Sequence, residues 1–559
     1  MLLDTVKEAP EAGRATRGDT PKFQWDLPYG LRRIPTFAKN VVCTTQPLAA
    51  QAGLQMLRQG GNAVDAAVAT AIALTILEPV SCGLGSDGFA LVWDGTRTHG
   101  LNASGRSPAA AKAEKFAGMR AMPEWGWDSV TVPGVVSGWA ALSKRFGRLP
   151  FSRLLEPAIH YAREGFLISP TVARQWRGLR SIYANYPDAL SLFFPQGTSP
   201  EPGTLVRFPH NATTLSAIAE SEGEDFYSGE IARRIAEYAR STSGSLTLDD
   251  LQAHRADWVQ PISVRYRGVE LHELPPNGQG LAALIALGVL NHFDLRSFPL
   301  DSPDSLHVQI EAMRLAFADV YAHVSDPATM RRDPNSFLEP QYLEQRASQI
   351  SLREARFPKS GFPLDGGTTY VATADAGGMM VSYIQSSGRG FGSGMVVPNT
   401  GIALQCRGRS FSVDPSHSNF IGPGKRPFHT NIPALATRDG AAFGCFGLMG
   451  WNMQPQGHVQ FLTRLVDYEQ NPQATLEAPR WRVAMDEPAI LLEEGTDPGV
   501  MRELESRGHR IIQIEPTFGA ASTPFGSMLS FGAAQMIHKL DDGYIGASDP
   551  RRDGQAVGF

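Results

Sequence analysis

The sequence predicts a mixed chain of α+β class, and three stretches carry that prediction. Tyr370-Val371-Ala372-Thr373-Ala374 alternates as a strand, Asp375-Ala376-Gly377-Gly378 turns, and residues 379–385 read as a second strand, which makes a hairpin. Residues 46–77 carry a helical pattern broken at Gly60-Gly61. Residues 95–300 then alternate short strands, turns and helices.

Residues 1–34 are mostly polar and charged, and read as a mobile tail that orders against the body. They hold no apolar core of signal-peptide length. No stretch approaches about 18 uninterrupted apolar residues, so the expectation is a cytoplasmic protein away from the membrane. Pro47 suits a first helical turn, and Ala49, Ala50, Ala52 and Leu54 favour the helix behind it. Asn62 caps a second helix, Ala63–Leu77, which is apolar on almost every side and therefore expected to be buried. Gly83-Leu84-Gly85-Ser86-Asp87-Gly88 spells the dinucleotide-binding glycine fingerprint. That motif must follow a strand and open a helix. Here the order is reversed, so the stretch reads as a turn rather than as the mark of an oxidoreductase.

Thr247-Leu248-Asp249-Asp250 has the form of a capping box opening a short helix. A Pro- and Gly-rich turn at 274–280 feeds an apolar helix at 281–290. Residues 305–324 read as amphipathic, and 346–365 as the loosest interior stretch. Beyond the hairpin, 441–447 reads as a strand and 457–468 as a helix.

Composition sets outer limits. The chain has 559 residues, 42% hydrophobic and 19% charged, as ordinary globular proteins do. A net charge of −5 favours neither nucleic acid nor an acidic membrane as partner. Cys43, Cys82, Cys406 and Cys445 lie too far apart for metal-ligand spacing, and are expected to be reduced and buried.

Gly366-Gly367-Thr368-Thr369 sits between the loose run and the hairpin. A threonine hydroxyl is a weak nucleophile without a base beside it. Cleavage after Gly367 would give Thr368 a free α-amine, whose pKa of about 7.7–8.0 leaves it partly neutral near pH 7. One residue then supplies nucleophile and base. Gly367 adds no side chain to hinder attack on its own carbonyl.

Several motifs occur together around this point. They are residues 368–383, Gly390-Phe391-Gly392-Ser393-Gly394, Gly424-Lys425-Arg426-Pro427, Gly546-Ala547-Ser548-Asp549-Pro550-Arg551 and, upstream, Gly60-Gly61-Asn62-Ala63-Val64-Asp65. In this order they closely resemble the γ-glutamyltranspeptidase family of self-cleaving N-terminal-nucleophile (Ntn) hydrolases. The resemblance implies a four-layer αββα sandwich. It also implies a precursor cut between Gly367 and Thr368 into a large part, 35–367, and a small part, 368–559, which stay together as one body.

The implied reaction is acyl transfer on a small-molecule amide, with no cofactor and no nucleic-acid or membrane partner. A higher homo-oligomer is left open. Thr369 would steady the amine or the nucleophile. The N–H groups of Gly450 and Trp451 would form the oxyanion site, with Trp451 standing where the family has a second glycine. Arg106 would grip a substrate carboxylate with its planar fork. Ser386, His429 and Thr430 would add substrate contacts, and Gln454 and His458 are weaker candidates for the acyl or leaving-group side.

One departure from the family bears on substrate. The tract that binds the γ-glutamyl ammonium through acidic residues reads Gln405-Cys406-Arg407-Gly408-Arg409-Ser410 here. A glutaryl group keeps a terminal carboxylate and lacks the ammonium, so glutaryl amides are expected to do relatively better. In this the chain also resembles the related bacterial cephalosporin acylases. The alternative from another class is a binding protein that keeps the fold without cleaving.

Overall fold

The computed structural model describes residues 33–356, 368–484, 488–514 and 531–559. Gly366, Gly367 and nearly all of the N-terminal tail lie outside the described residues. Arg33 is already tied to the body, its N–H bonding Glu477 at 2.8 Å and its guanidinium the Ser548 hydroxyl at 3.0 Å.

Two seven-stranded sheets form the centre. Their strands, numbered along the chain, are β1 (Thr36–Ala38), β2 (Val41–Thr44), β3 (Asp87–Trp93), β4 (Thr98–Ala103), β5 (Asp257–Val259), β6 (Ile262–Tyr266), β7 (Val269–Glu273), β8 (Thr369–Ala374), β9 (Met380–Ser386), β10 (Ala434–Arg438), β11 (Ala441–Met449), β12 (Ala533–Leu540), β13 (Gly543–Ser548) and β14 (Gln555–Gly558). One sheet runs β1-β13-β12-β11-β10-β7-β6, the other β14-β2-β8-β9-β3-β4-β5. Neighbours in both pair antiparallel. Each sheet draws strands from both sides of the 357–367 segment.

Side chains alternate across a strand, and that alternation builds the layers. In β3, Phe89, Leu91 and Trp93 enter the core between the sheets, where Tyr370, Ala372 and Ala374 of β8 also lie. Ala90, Val92 and Val371 point the other way, into a helical layer. On the second sheet, Cys445 faces inward while Phe446 and Leu448 meet helices. The result is the four-layer αββα sandwich. All four cysteines are free and buried.

The helices used below are α1 (Pro47–Arg58), α2 (Ala63–Leu77), α3 (Gly280–Leu290), α4 (Pro303–His323) and α5 (Met453–Val466). The first three begin within a residue of the sequence reading, and every residue of α2 is buried. The Leu248–Ala253 helix likewise carries its capping box at Thr247.

Three expectations are corrected. The 305–324 stretch is not amphipathic in use: Ser305 to Phe317 of α4 are all buried, because α3, α5 and the Pro498–Ser506 helix enclose it. Helix α5 starts ahead of Gly457, which is an interior helical position. A Cβ at Gly457 would come within 2.6 Å of Leu448, so the glycine marks close helix–sheet packing. The 346–365 stretch is tied down at Arg356, and its residues 357–365 lie outside the described residues. The Arg356 N–H bonds buried Glu311 at 2.8 Å, and its carbonyl accepts from Arg314 at 3.3 Å.

The α2 cap is a buried polar knot. Asn62 accepts N–H bonds from Val64 and Asp65, while the Asp65 carboxylate accepts from the N–H groups of Asn62 at 2.9 Å, Arg148 at 3.0 Å and Leu149 at 3.3 Å. Removing the carboxylate leaves those donors without it, at about 1–3 kcal/mol for each one that stays dry. Asp65→Ala is expected to lower stability by on the order of 3 kcal/mol. An unchanged denaturation midpoint would contradict this account of the cap.

Candidate active site

Thr368 stands immediately ahead of β8, fully buried. The two sheets approach closely just beyond it. A Cβ on Gly447 of β11 would fall 2.4 Å from the Tyr370 ring, so only glycine lets β11 pass. The end of β11 is thereby carried toward the head of β8.

The Thr368 hydroxyl donates a long hydrogen bond, 3.5 Å, to Asn431 Oδ1. That oxygen also accepts from Arg407 Nη2 at 3.2 Å, and Arg407 Nη1 donates to Thr430 Oγ1 at 2.8 Å. The guanidinium is buried, and desolvation lowers its pKa to about 10 despite the partial support of Asp87. Arg407 and Arg409 lie 5.8 Å and 5.0 Å from the Trp451 ring centroid, within cation–π range. Arg409 and Arg389 both reach the Glu124 carboxylate.

Gly450 and Trp451 form the turn between β11 and α5. Both have left-handed backbone, with φ of 126° and 59°. For a residue as bulky as Trp451 this is a strained conformation. Among the described residues neither N–H donates to a backbone acceptor, while both carbonyls are used, by Met453 and Gln454. The positive end of α5 begins here. The Gln279 side-chain amide ties the turn to the 429–431 loop beside Thr368, donating to Trp451 O at 2.6 Å and Thr430 O at 2.7 Å. Two N–H groups without an acceptor among the described residues, on a strained and braced turn, suit a developing oxyanion.

The remaining predicted residues divide. Thr369 is buried beside Cys82, whose thiol burial pushes up to about 12 against the hydrogen bonds of Thr369 and Gln385. Ser386 ends β9 opposite Asp87 of β3, and its hydroxyl accepts the Gly388 N–H at 2.9 Å. Arg106 bonds Asp326 at 2.9 Å and the Gly424 carbonyl at 3.2 Å, rather than any group around Thr368. Its side chain is 43% exposed, so it sits at the rim.

Thr430 stays available as a donor, and three other assignments change. The Thr430 hydroxyl accepts from Arg407, which leaves its O–H able to donate to a substrate carboxylate. Gln454 Oε1 accepts the Ile432 N–H at 2.9 Å, and His458 is buried against Glu273 at 2.6 Å, so both are structural. His429 is wholly buried and faces Asp87 rather than open space, with Nε2 3.4 Å from Asp87 Oδ2. Burial and the Arg407 charge hold its pKa well below the usual histidine value.

Sequence reasoning missed Asp87, Gln279 and Asn431. Asp87 was visible as an acid inside a glycine turn that the rejected fingerprint could not explain. Its Oδ1 accepts the N–H groups of Gly105 and Gly134 at 3.1 Å and 3.2 Å, which anchors the loop carrying Arg106. Burial pushes its pKa up to about 7 against the opposing pull of Arg407, those N–H groups and Arg426.

The chain is similar over nearly its whole length to known proteins. The family model described as gamma-glutamyltranspeptidase matches residues 49–559. The chain is 35% identical over 530 residues to the glutathione hydrolase-like YwrD proenzyme of Bacillus subtilis, covering 93% of this chain and 98% of that one. It is 34% identical over 526 residues to the oxamate amidohydrolase proenzyme of Klebsiella pneumoniae, covering 92% and 97%. The crystal structure of cephalosporin acylase from Bacillus halodurans superposes with a TM-score of 0.89 at 43% identity, covering 96% and 99%.

Asp87 makes the fold sensitive to pH. With an ordinary value of 3.8 raised to about 7, the folded state keeps a proton that the unfolded chain releases. The associated stability is present below the unfolded value and is lost as pH rises through the folded one. Wild type is therefore expected to lose stability relative to Asp87→Asn between about pH 4 and pH 7. Parallel denaturation midpoints check this, and a constant difference across that window refutes it.

Proposed function

Because the chain belongs to the γ-glutamyltranspeptidase family of Ntn amide hydrolases and acyltransferases, we propose that Thr368 is its nucleophile and that its acyl substrates carry a carboxylate but no ammonium. The cut joins chemistry to maturation. Thr368 Oγ attacks the Gly367 carbonyl, the peptide C–N bond breaks, and the departing nitrogen takes up the hydroxyl proton. Water then hydrolyses the resulting ester. The products are a carboxylate at Gly367 and a free α-amine at Thr368, dividing the chain into a large part, 35–367 with its tail, and a small part, 368–559.

In turnover the amine takes the Thr368 hydroxyl proton as Oγ attacks the substrate amide carbon. The N–H groups of Gly450 and Trp451 receive the oxyanion. The leaving amine takes the proton and departs, and water or an acceptor amine resolves the acyl ester. Thr369 flanks the nucleophile. The rim arginine, Arg106, exchanges part of its Asp326 pairing for the acyl carboxylate.

The observation that carries the substrate reading is the pair Arg407 and Arg409 around Trp451, beside the 429–431 loop. A γ-glutamyl ammonium placed there would meet two cations, and an unpaired buried charge is costly. A glutaryl chain presents none. An amidohydrolase and an acylase among the similar proteins support amide hydrolysis.

Purified protein is expected to run as two fragments, the smaller beginning Thr-Thr-Tyr-Val on N-terminal sequencing. Thr368→Ala is expected to stay in one piece. A single uncut wild-type band would instead support a binding protein that keeps the fold. Glutaryl anilides are expected to turn over faster than γ-glutamyl anilides, and a clear γ-glutamyl preference would refute the substrate reading. Arg106→Gln is expected to raise KM for the glutaryl anilide by about 10–100-fold, the worth of a charged hydrogen bond, while the cut still forms.

A further inference from the structure

The interior next to Thr368 holds an acid and an imidazole that the reaction above does not use. We infer that Asp87 and His429 are positioning residues which, through Asn431, orient the Thr368 hydroxyl. The inference rests on Thr368 being the nucleophile.

The His429 ring settles its own tautomer. Nδ1 accepts the Asn431 N–H at 3.1 Å, so in the neutral ring the proton is on Nε2. That atom lies 3.4 Å from Asp87 Oδ2, a contact at ion-pair distance without hydrogen-bond geometry, and neither atom has a hydrogen-bond partner among the described residues. The Phe89 ring packs edge-on at 4.6 Å and restricts rotation. Asp87 is fixed from the other side by the Gly105 and Gly134 N–H groups on Oδ1, which leaves Oδ2 for the imidazole. The Asn431 main chain is thus held by His429, and its Oδ1 receives the Thr368 hydroxyl and Arg407. The series runs carboxylate, imidazole, main-chain N–H, amide oxygen, nucleophile.

The series depends on one proton. An ionised Asp87 attracts the Nε2–H across this contact. A protonated Asp87 sets two donors against each other. The ring can then relieve the clash only by moving its proton to Nδ1, which turns Nδ1 from acceptor to donor against the Asn431 N–H. The charged and titratable groups acting on Asp87 are Arg407, Arg426 and His429, and it acts in turn on Tyr227 and Tyr383. Arg407 stays cationic, the imidazole stays neutral, and the tyrosines titrate far above neutrality. The order around Thr368 therefore holds above about pH 7 and loosens below it.

Asp87→Asn tests this closely. Its amide oxygen still serves Gly105 and Gly134, but its NH2 opposes Nε2–H and forces the wrong tautomer. The expected loss in kcat on a glutaryl anilide is on the order of 10²–10⁴-fold, as for tautomer errors in a nucleophile–histidine–acid set, with KM little changed. The limb of the pH–rate profile near 7 should disappear, leaving that of the Thr368 amine. His429→Asn keeps an acceptor near the Nδ1 position, so it should retain more activity than Asp87→Asn while losing the same limb. In that background Asp87→Asn should cost nothing further.

Normal kcat with an unaltered profile in Asp87→Asn overturns the inference, as do losses that multiply in the double variant. An Asp87→Asn precursor that melts like wild type yet stays uncut supports it, since the same hydroxyl makes the cut. If Asp87→Asn does not fold, the His429→Asn profile decides: the limb near 7 must vanish there, and its persistence overturns the inference. Sequencing the wild-type small fragment is independent of all these variants, so a wrong nucleophile and a wrong positioning pair are told apart.

Discussion

Burying the Arg407 guanidinium is the constraint from which the site follows. A cation without water must find acceptors, since each missing one costs as much as the bond it lacks. Arg407 finds Thr430 Oγ1 and Asn431 Oδ1, and lies against the face of Trp451. These are the residues that flank the nucleophile and the strained turn after β11. One side chain therefore sets the distance between a hydroxyl on one sheet and N–H groups at the end of the other.

The acid that offsets this charge is also buried, and the balance is incomplete. Asp87 is close enough for Arg407 to favour its ionised form, yet burial still pushes its pKa to about 7. An imidazole that cannot become cationic stands between it and Asn431. Ionisable groups collected in a dry interior are costly for stability, and such clusters gather where chemistry is done. The proposed preference for a carboxylate over an ammonium rests on the same charge balance.

The scaffold contributes rigidity through close approach. Gly447 lets β11 pass Tyr370, Gly457 lets α5 lie on Leu448, and Gln279 at the start of α3 ties the turn to the loop by two bonds from one amide. Trp451 keeps its left-handed backbone because this surround over-determines it.

The parts legible in the sequence were those governed by near neighbours. The hairpin after Thr368, the Asn62 cap, the all-round apolar α2 and the Thr247 capping box follow from alternation, periodicity and side chains bonding three residues away. The threonine after two glycines and the paired arginines in the 405–410 tract were legible as chemistry. The fate of His429, the bracing by Gln279 and the join between Asp87 and Asn431 were not. Those residues come from different strands and loops, and only closure of two sheets into one sandwich brings them together. Whether a histidine meets a substrate or a buried acid depends on what packs around it, and local pattern does not contain that information.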